Sequence, residues 1–299
     1  MSRAEKVLLV GDNPFHGLSH LSQERARSRD GALSHPATAA ELISTSVLDG
    51  ANGFMFSVSE ITLSALRILR GRDGFERLAL YAIVPYAYEF VRTAARLGGF
   101  RGLAQQLARQ IVFGANWRAI AMGLMGVAKA DPFALLKAYL AYEIARIRSA
   151  AGKKMELASL LLHELVTDTA LALDIDGLFR THISFLSRFN VKPGFETRNL
   201  PYLLKRFEEW DIGLEGTVIA APFNAAGFQM CPSRDACEKA LAGVSKAEVI
   251  AFGILAAGYL KPPEAVEYIA GLSDLNGVAV GVSKQRHAHE MFKLLREKL

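Results

Sequence analysis

The chain predicts a (β/α)8 barrel, the TIM-barrel architecture, as one domain over residues 1–299. Three observations predict it. Eight short apolar runs alternate with amphipathic stretches, with no break in composition between them. Several runs are continuous Val, Ile, Leu and Ala, as parallel strands covered on both faces require. The length is one that such barrels reach without a second domain. A doubly wound open sheet is the alternative, and it loses ground because GDNPFHG after the first run is not G-x-G-x-x-G.

The elements follow in order. The first strand, 6–10, leads into GDNPFHGLSH, residues 11–20, where Asp12, Asn13, His16 and His20 stand among Gly11, Pro14 and Gly17. A helix over 37–48, a strand over 53–58, a helix over 61–69 and a strand over 78–84 come next. Asp131-Pro132 opens a long helix to residue 149, with Asp as N-cap and Pro at the first helical position. Strands 157–162 and 192–195 follow, then a helix over 200–210 started by Asn199-Leu200-Pro201. Strand 217–220, helix 234–241, strand 248–251, helix 263–270, strand 277–281 and helix 286–298 complete the pattern.

One gap is irregular. More than seventy residues separate strands three and four, against roughly 30 for a whole βαβ unit. Within it, residues 99–130 form an apolar, Gly-punctuated, basic helical insertion in the domain. No acidic residue stands between Glu89 and Asp131, whereas Arg92, Arg96, Arg101, Arg109, Arg118 and Lys129 are basic. A helical pair packed on the barrel with its cations snorkelling to water is one reading. A lid over the barrel mouth, or a contact in a homo-oligomer, is the other.

Composition narrows the function classes. The net charge of +5 is carried almost entirely by that one segment, so an anionic small-molecule ligand, a membrane surface or an acidic partner is expected there. It is not the domain-wide basicity of a nucleic-acid binder, and no nucleic-acid motif appears. The apolar run near the N-terminus is too short for a signal-peptide core, and no uncharged apolar stretch reaches a transmembrane length, so a cytoplasmic protein is expected. Cys231 and Cys237, six apart, match no zinc or redox spacing. They read as two thiols in a reducing cytosol, or as a disulfide in an oxidising compartment.

In this fold the chemistry gathers at the C-terminal ends of the strands. The strand assignments put there Asp12, Asn13 and His16, then Glu60, Tyr86, His163, Glu164, Glu196, Arg198 and Asn224. His163 ends the apolar run LASLLLH, where a polar ring needs a partner or a substrate, or else is a core histidine bonded to a carbonyl. Glu60 and Glu196 would make a general acid/base pair if they met in a cleft, although Glu60 equally suits a helix start. Arg198 would clamp a carboxylate or phosphate, or tie strand five to its neighbours through an ion pair. Asp12 and Asn13 would act on a substrate or cap the backbone. Asn224 and Tyr86 are expected as substrate contacts. Ser283, Lys284 and Arg286, after Gly281, would form an anion site at a helix start, or an ordinary Ser cap with solvated bases. Asp12, His16, His163 and Glu196 would supply three metal ligands if they gathered at the mouth, but no spacing motif supports a metal.

Five strand ends, in order, resemble the aldo/keto reductases, a (β/α)8 superfamily that uses nicotinamide cofactors. They are LLVGDNPFHG, DGANGFMFSVSE, LASLLLHELVTD, VIAFGILAAGYL with Gly258, and GVAVGVSKQRHAHE. The resemblance implies NADP or NAD as cofactor, held near Gly258, Ser283, Lys284 and Arg286. It implies catalysis by Tyr, Lys, Asp and His. Here Met55 stands where the Asp would be, Glu60 falls at the Tyr position, and strand three, LALYAIV, has no Lys. Of the four only His163 remains. The expectation is therefore a small-molecule enzyme, oxidoreductase-like but with altered catalytic residues. The alternatives are a metal-assisted lyase, isomerase or hydrolase on the same barrel, and a barrel that only binds a ligand.

Overall fold

Eight parallel strands close in chain order, and the last pairs with the first. They are β1 (Val7–Gly11), β2 (Gly53–Ser57), β3 (Ala79–Val84), β4 (Glu156–Leu162), β5 (Lys192–Glu196), β6 (Val218–Pro222), β7 (Glu248–Phe252) and β8 (Gly277–Gly281). The computed structural model describes residues 6–16, 35–86, 131–244 and 246–299. Every expected strand is present, its ends moved by no more than two residues. The insertion at 99–130, with its lid and oligomer readings, lies outside the described residues.

The helices on the described residues are α1 (Pro36–Leu48), α2 (Glu60–Arg70), α3 (Pro132–Ala151), α4 (Glu164–Ala172), α5 (Asp176–Leu186), α6 (Leu200–Glu209), α7 (Arg234–Ala242), α8 (Pro262–Ala270) and α9 (Gln285–Lys298). Local chemistry sets several starts. Asp131 accepts from the N–H groups of Phe133 and Ala134 at 2.9 and 3.2 Å, and Asn199 accepts from Tyr202 N–H at 3.2 Å. Such caps satisfy donors that the helix itself leaves open. α3 runs two residues past its expected end and stops at Gly152, whose φ of +69° suits glycine. α2 packs between α1 and α3, and α9 packs back on α1. α3 is thus the helix of the third βα unit, despite the long connection before it.

Two helices, α4 and α5, have no counterpart in the sequence expectations. Their starts lack the usual markers. α4 is capped by the ring of His163, and Ile175 before α5 makes no side-chain cap at all. Without Ser, Thr, Asp or Asn at those positions the start signal is missing.

The strands alternate between two cores. Leu9, Met55, Tyr81, Ile83, Leu161, Val218, Ala220, Ile250 and Ala279 point inward and fill the barrel. The opposite faces pack on the helices around Phe54, Phe56, Leu160, Phe195 and Phe223. Small residues on the inner face make room for large ones. A Cβ on Gly194 would stand 2.5 Å from Leu161 Cγ and 2.8 Å from Ser159 Oγ. The same alternation aims Lys192 inward at the lower end of β5 and Glu196 inward at its upper end.

Candidate active site

The turn after β1 builds one side of the mouth. Asp12, 4% exposed, accepts Ser57 N–H at 2.7 Å through Oδ2, which ties β1 to β2. The same oxygen lies 2.9 Å from His16 Nε2. Residues Asn13–His16 form a single 3-10 turn, closed by Phe15 N–H donating to the Asp12 carbonyl at 2.8 Å. That turn buries Pro14 and Phe15 and folds His16 back over Asp12, while Asn13 is exposed. The His16 ring lies 4.7 Å from that of Tyr86, at the end of β3. Three of the expected residues, Asp12, His16 and Tyr86, are therefore together.

The other side comes from β4 and β5. His163 N–H continues the ladder to the Val84 carbonyl at 2.8 Å. Its Nδ1 accepts Leu165 N–H at 3.1 Å, which leaves the proton of the neutral ring on Nε2. Burial lowers its pKa, so the ring is neutral near pH 7. Leu162 pairs with Phe195 across the two strands, so the next residues, His163 and Glu196, are register neighbours. Glu196 is 9% exposed and accepts Glu164 N–H at 3.3 Å. Burial, then the carboxylate of Glu164, push its pKa up to about 8; the Glu164 N–H and Arg198 pull the other way. Burial and the neighbouring carboxylate thus both favour the protonated acid at Glu196. The Asp12 carboxylate acts electrostatically on both His163 and Glu196, which places the two sides of the mouth within range of each other.

A ring of supports surrounds this core. Arg198 pairs with Glu164. Asp168 accepts the Thr197 hydroxyl at 2.5 Å and the Arg198 N–H at 3.1 Å, tying α4 to the start of α6. Burial raises the Asp168 pKa. From the sequence Asp168 was legible only as the closing Asp of LASLLLHELVTD, not as a site residue; its spacing of four from Glu164 puts both acids on one face of α4. Arg198 Nε is buried and has no partner among the described residues.

Other expected residues go elsewhere. Glu60 starts α2 with its side chain 73% exposed and pairs with Arg146 at 2.7 Å and Arg67 at 3.8 Å. It faces α3, and the structure does not bring it to Glu196. Asn224 is fully buried, donates to the Phe228 and Gly253 carbonyls at 2.9 and 3.3 Å, and accepts Phe228 N–H at 2.7 Å. Its polar atoms hold its own loop. The N-cap of α9 is Lys284, not Ser283, and no described side chain caps that helix. Lys284 and Arg286 are exposed, as is Gly258, whose φ is +93°. Among the described residues no three His, Cys, Asp or Glu side chains are arranged to hold a metal ion.

Comparison with known proteins adds the fold. No known family model matches the chain, and no curated protein matches it. Solved structures do. Two, from Pseudomonas aeruginosa and provisionally described as an aldo-keto reductase, align at 13% identity with TM-scores of 0.56 and 0.58. Each alignment covers 99% of this chain, and 92% and 93% of theirs. An aldo-keto reductase enzyme from a Medee basin deep-sea metagenome library aligns at 11% identity and TM-score 0.50, over 86% of this chain and 80% of its own. The chain is structurally similar to aldo-keto reductases, on an eight-stranded parallel barrel. At the position where the resemblance places an Asp, Met55 sits in the apolar barrel interior at 4% exposure.

No helix of the described residues is long and apolar enough to cross a membrane.

Proposed function

We propose that the chain is a small-molecule enzyme acting at the barrel mouth, an oxidoreductase that reduces a carbonyl compound, with Glu196 as its proton donor. One observation carries this reading: His163 and Glu196 end adjacent strands side by side, with the Asp12 carboxylate in electrostatic range of both. A carboxylic acid protonated at pH 7 can do what a weakly acidic hydroxyl does elsewhere, namely hand a proton to an oxygen as negative charge grows on it. Neutral His163 offers its Nε2–H as a hydrogen bond that orients and polarises the carbonyl. Once Glu196 has given its proton, the Glu164 N–H and the Arg198 guanidinium stabilise the carboxylate left behind. Asp12 and His16 wall the opposite side, and Tyr86 stacks there.

The residues after β7 and β8 fit a nucleotide diphosphate. The start of α9 carries no side-chain cap, its N–H groups point along the helix axis, and Lys284 and Arg286 flank it beside Ser283. Gly258 at positive φ lets backbone approach closely. NADPH or NADH held there would supply a hydride to the carbonyl carbon, leaving as NADP or NAD. Arg198 has its charge balanced by Glu164 and keeps Nε for a neutral substrate oxygen. The expectation of an anionic partner therefore rests on Lys284 and Arg286 rather than on Arg198.

The test is NADPH and NADH titration followed by fluorescence, then a panel of aldehydes and ketones assayed for cofactor oxidation. Binding that Lys284→Ala and Arg286→Ala weaken, and turnover that Glu196→Gln abolishes, support the reading. Absence of any cofactor binding at millimolar concentration rejects it.

A further inference from the structure

The chain has two cysteines, and the acid–base site uses neither. Cys231 is exposed, in the stretch that runs from Asn224 to α7. Cys237 is buried on the first turns of α7. Ser233 caps that helix by accepting Ala236 N–H at 3.2 Å, and the Cys237 thiol lies against the chain that enters it. It donates to the Cys231 carbonyl at 3.3 Å. A carbonyl oxygen sits about 2.4 Å from its own Cα, so the buried sulfur lies within roughly 6 Å of Cys231 Cα, by standard bond geometry. The buried sulfur is thus held against the Cys231 main chain, and closing a disulfide, whose two Cα atoms lie within roughly 7 Å of each other, takes a local adjustment of this segment.

We propose that Cys231 and Cys237 form an oxidation site, in which a peroxide oxidises exposed Cys231 and Cys237 resolves the product to an intrachain disulfide. The peroxide takes two electrons from the Cys231 thiol, which becomes a sulfenic acid as the O–O bond breaks and one water or alcohol leaves. The Cys237 sulfur then attacks the Cys231 sulfur, the S–O bond breaks, and the Cys237 proton leaves with the hydroxyl as water. Exposure sets the order of events, since Cys231 meets solvent first. Burial, with the Cys231 sulfur adding to it, pushes the Cys237 thiol up to about 11, which keeps it from reacting with the oxidant itself.

The bridge would reach the mouth. Cys231 N–H donates to the Arg198 carbonyl at 2.9 Å, and Arg198 pairs with Glu164, whose N–H holds Glu196. A disulfide replaces the S–H···O bond and draws the Cys231 segment toward α7, away from Arg198. The effect on activity rests on the acid–base reading above; the disulfide itself does not.

Hydrogen peroxide added to the full-length protein should lower the intact mass by two hydrogens and take the thiol titre from two to none, reversed by dithiothreitol. Cys237→Ser should stop at a sulfenic acid on residue 231 that dimedone traps, and Cys231→Ser should not react. Oxygen addition at Cys231 with Cys237 still a free thiol, or covalent dimers through Cys231, overturns the proposal, as does Cys231→Ser reacting at the wild-type rate. Hydrogen exchange over 196–199 and 224–233 should rise in the oxidised protein. Unchanged exchange rejects the link to Arg198, whereas absent NADPH binding rejects only the reading of the mouth.

Discussion

The two ends of β5 carry the same kind of side chain arrangement and opposite chemistry. Lys192 and Glu196 both point into the barrel, four residues apart on one strand. At the lower end Lys192 meets Glu248, an opposite charge, with both side chains still reached by water. At the upper end Glu196 is shut from water and faces Glu164 and Asp12, which carry its own sign. Nearby at the lower end Asn52 and Asn276 accept the backbone N–H groups of Leu8 and Val249, each at 2.8 Å. Charges are neutralised and backbone is tied off there. Around Glu196, like charges are held together by a scaffold that does not let them part. An end built the first way serves stability. An end built the second way raises proton affinity, which is what the proposed acid role of Glu196 draws on.

The largest expected effect breaks the upper end. Glu196→Gln keeps the shape and removes the proton, and activity should fall by about 100-fold or more, the range for losing a general acid. Stability should move the other way. Glu196 binds its proton more tightly folded than unfolded, so it favours the fold fully below about pH 4.5 and loses that contribution as pH rises through about 8. The Gln variant should therefore gain thermal stability on the wild type as pH climbs from about 5 to about 8. A melting difference that stays flat over that range would sink the assignment.

His163 separates two roles. His163→Ala should lose both activity and the cap on α4, with a stability cost of about 1 kcal/mol in denaturant unfolding. His163→Asn should restore the cap, because its oxygen can accept Leu165 N–H, and leave activity low. Equal activity in the two variants and the wild type would make this ring purely structural.

On the acid side the sign reverses. His182 is fully buried, bonded through Nε2 to the Leu160 carbonyl at 3.0 Å, and burial pushes its pKa down to about 4. Its contribution is present above the unfolded value of about 6.5 and lost as pH falls through about 4. His182→Gln should flatten the fall in melting temperature over that window.

The smallest effects come from charges that water still reaches. Lys192→Met and Glu60→Gln should each change stability by less than about 1 kcal/mol, as exposed ion pairs do. Neither should alter turnover. A Glu60→Gln variant with a tenfold loss of activity would return that residue to the site.

Much of the barrel was legible in the chain. The eight apolar runs, the Asp131-Pro132 start and the Asn199 cap are local signals, set by burial periodicity and by hydrogen bonds to the nearest turn. α4 and α5 were not legible because a histidine ring and an isoleucine occupy their cap positions. Asp12, His16, His163 and Glu196 could be placed near the mouth because each follows or ends a strand, and the strand ends share one face of the barrel. The support from Asp168 could not, since nothing in α4 says that Thr197 and Arg198 come to meet it.

By itself the sequence determined the order of the elements and which residues follow each strand, since these follow from burial periodicity and from chain connectivity. The tertiary structure decided the rest. Glu60 and Glu196 look alike as acids near strand ends, yet one sits in water beside two arginines and the other is buried beside a second acid. Proton affinity depends on solvent and on charges brought from other strands, and those distances exist only once the barrel has closed.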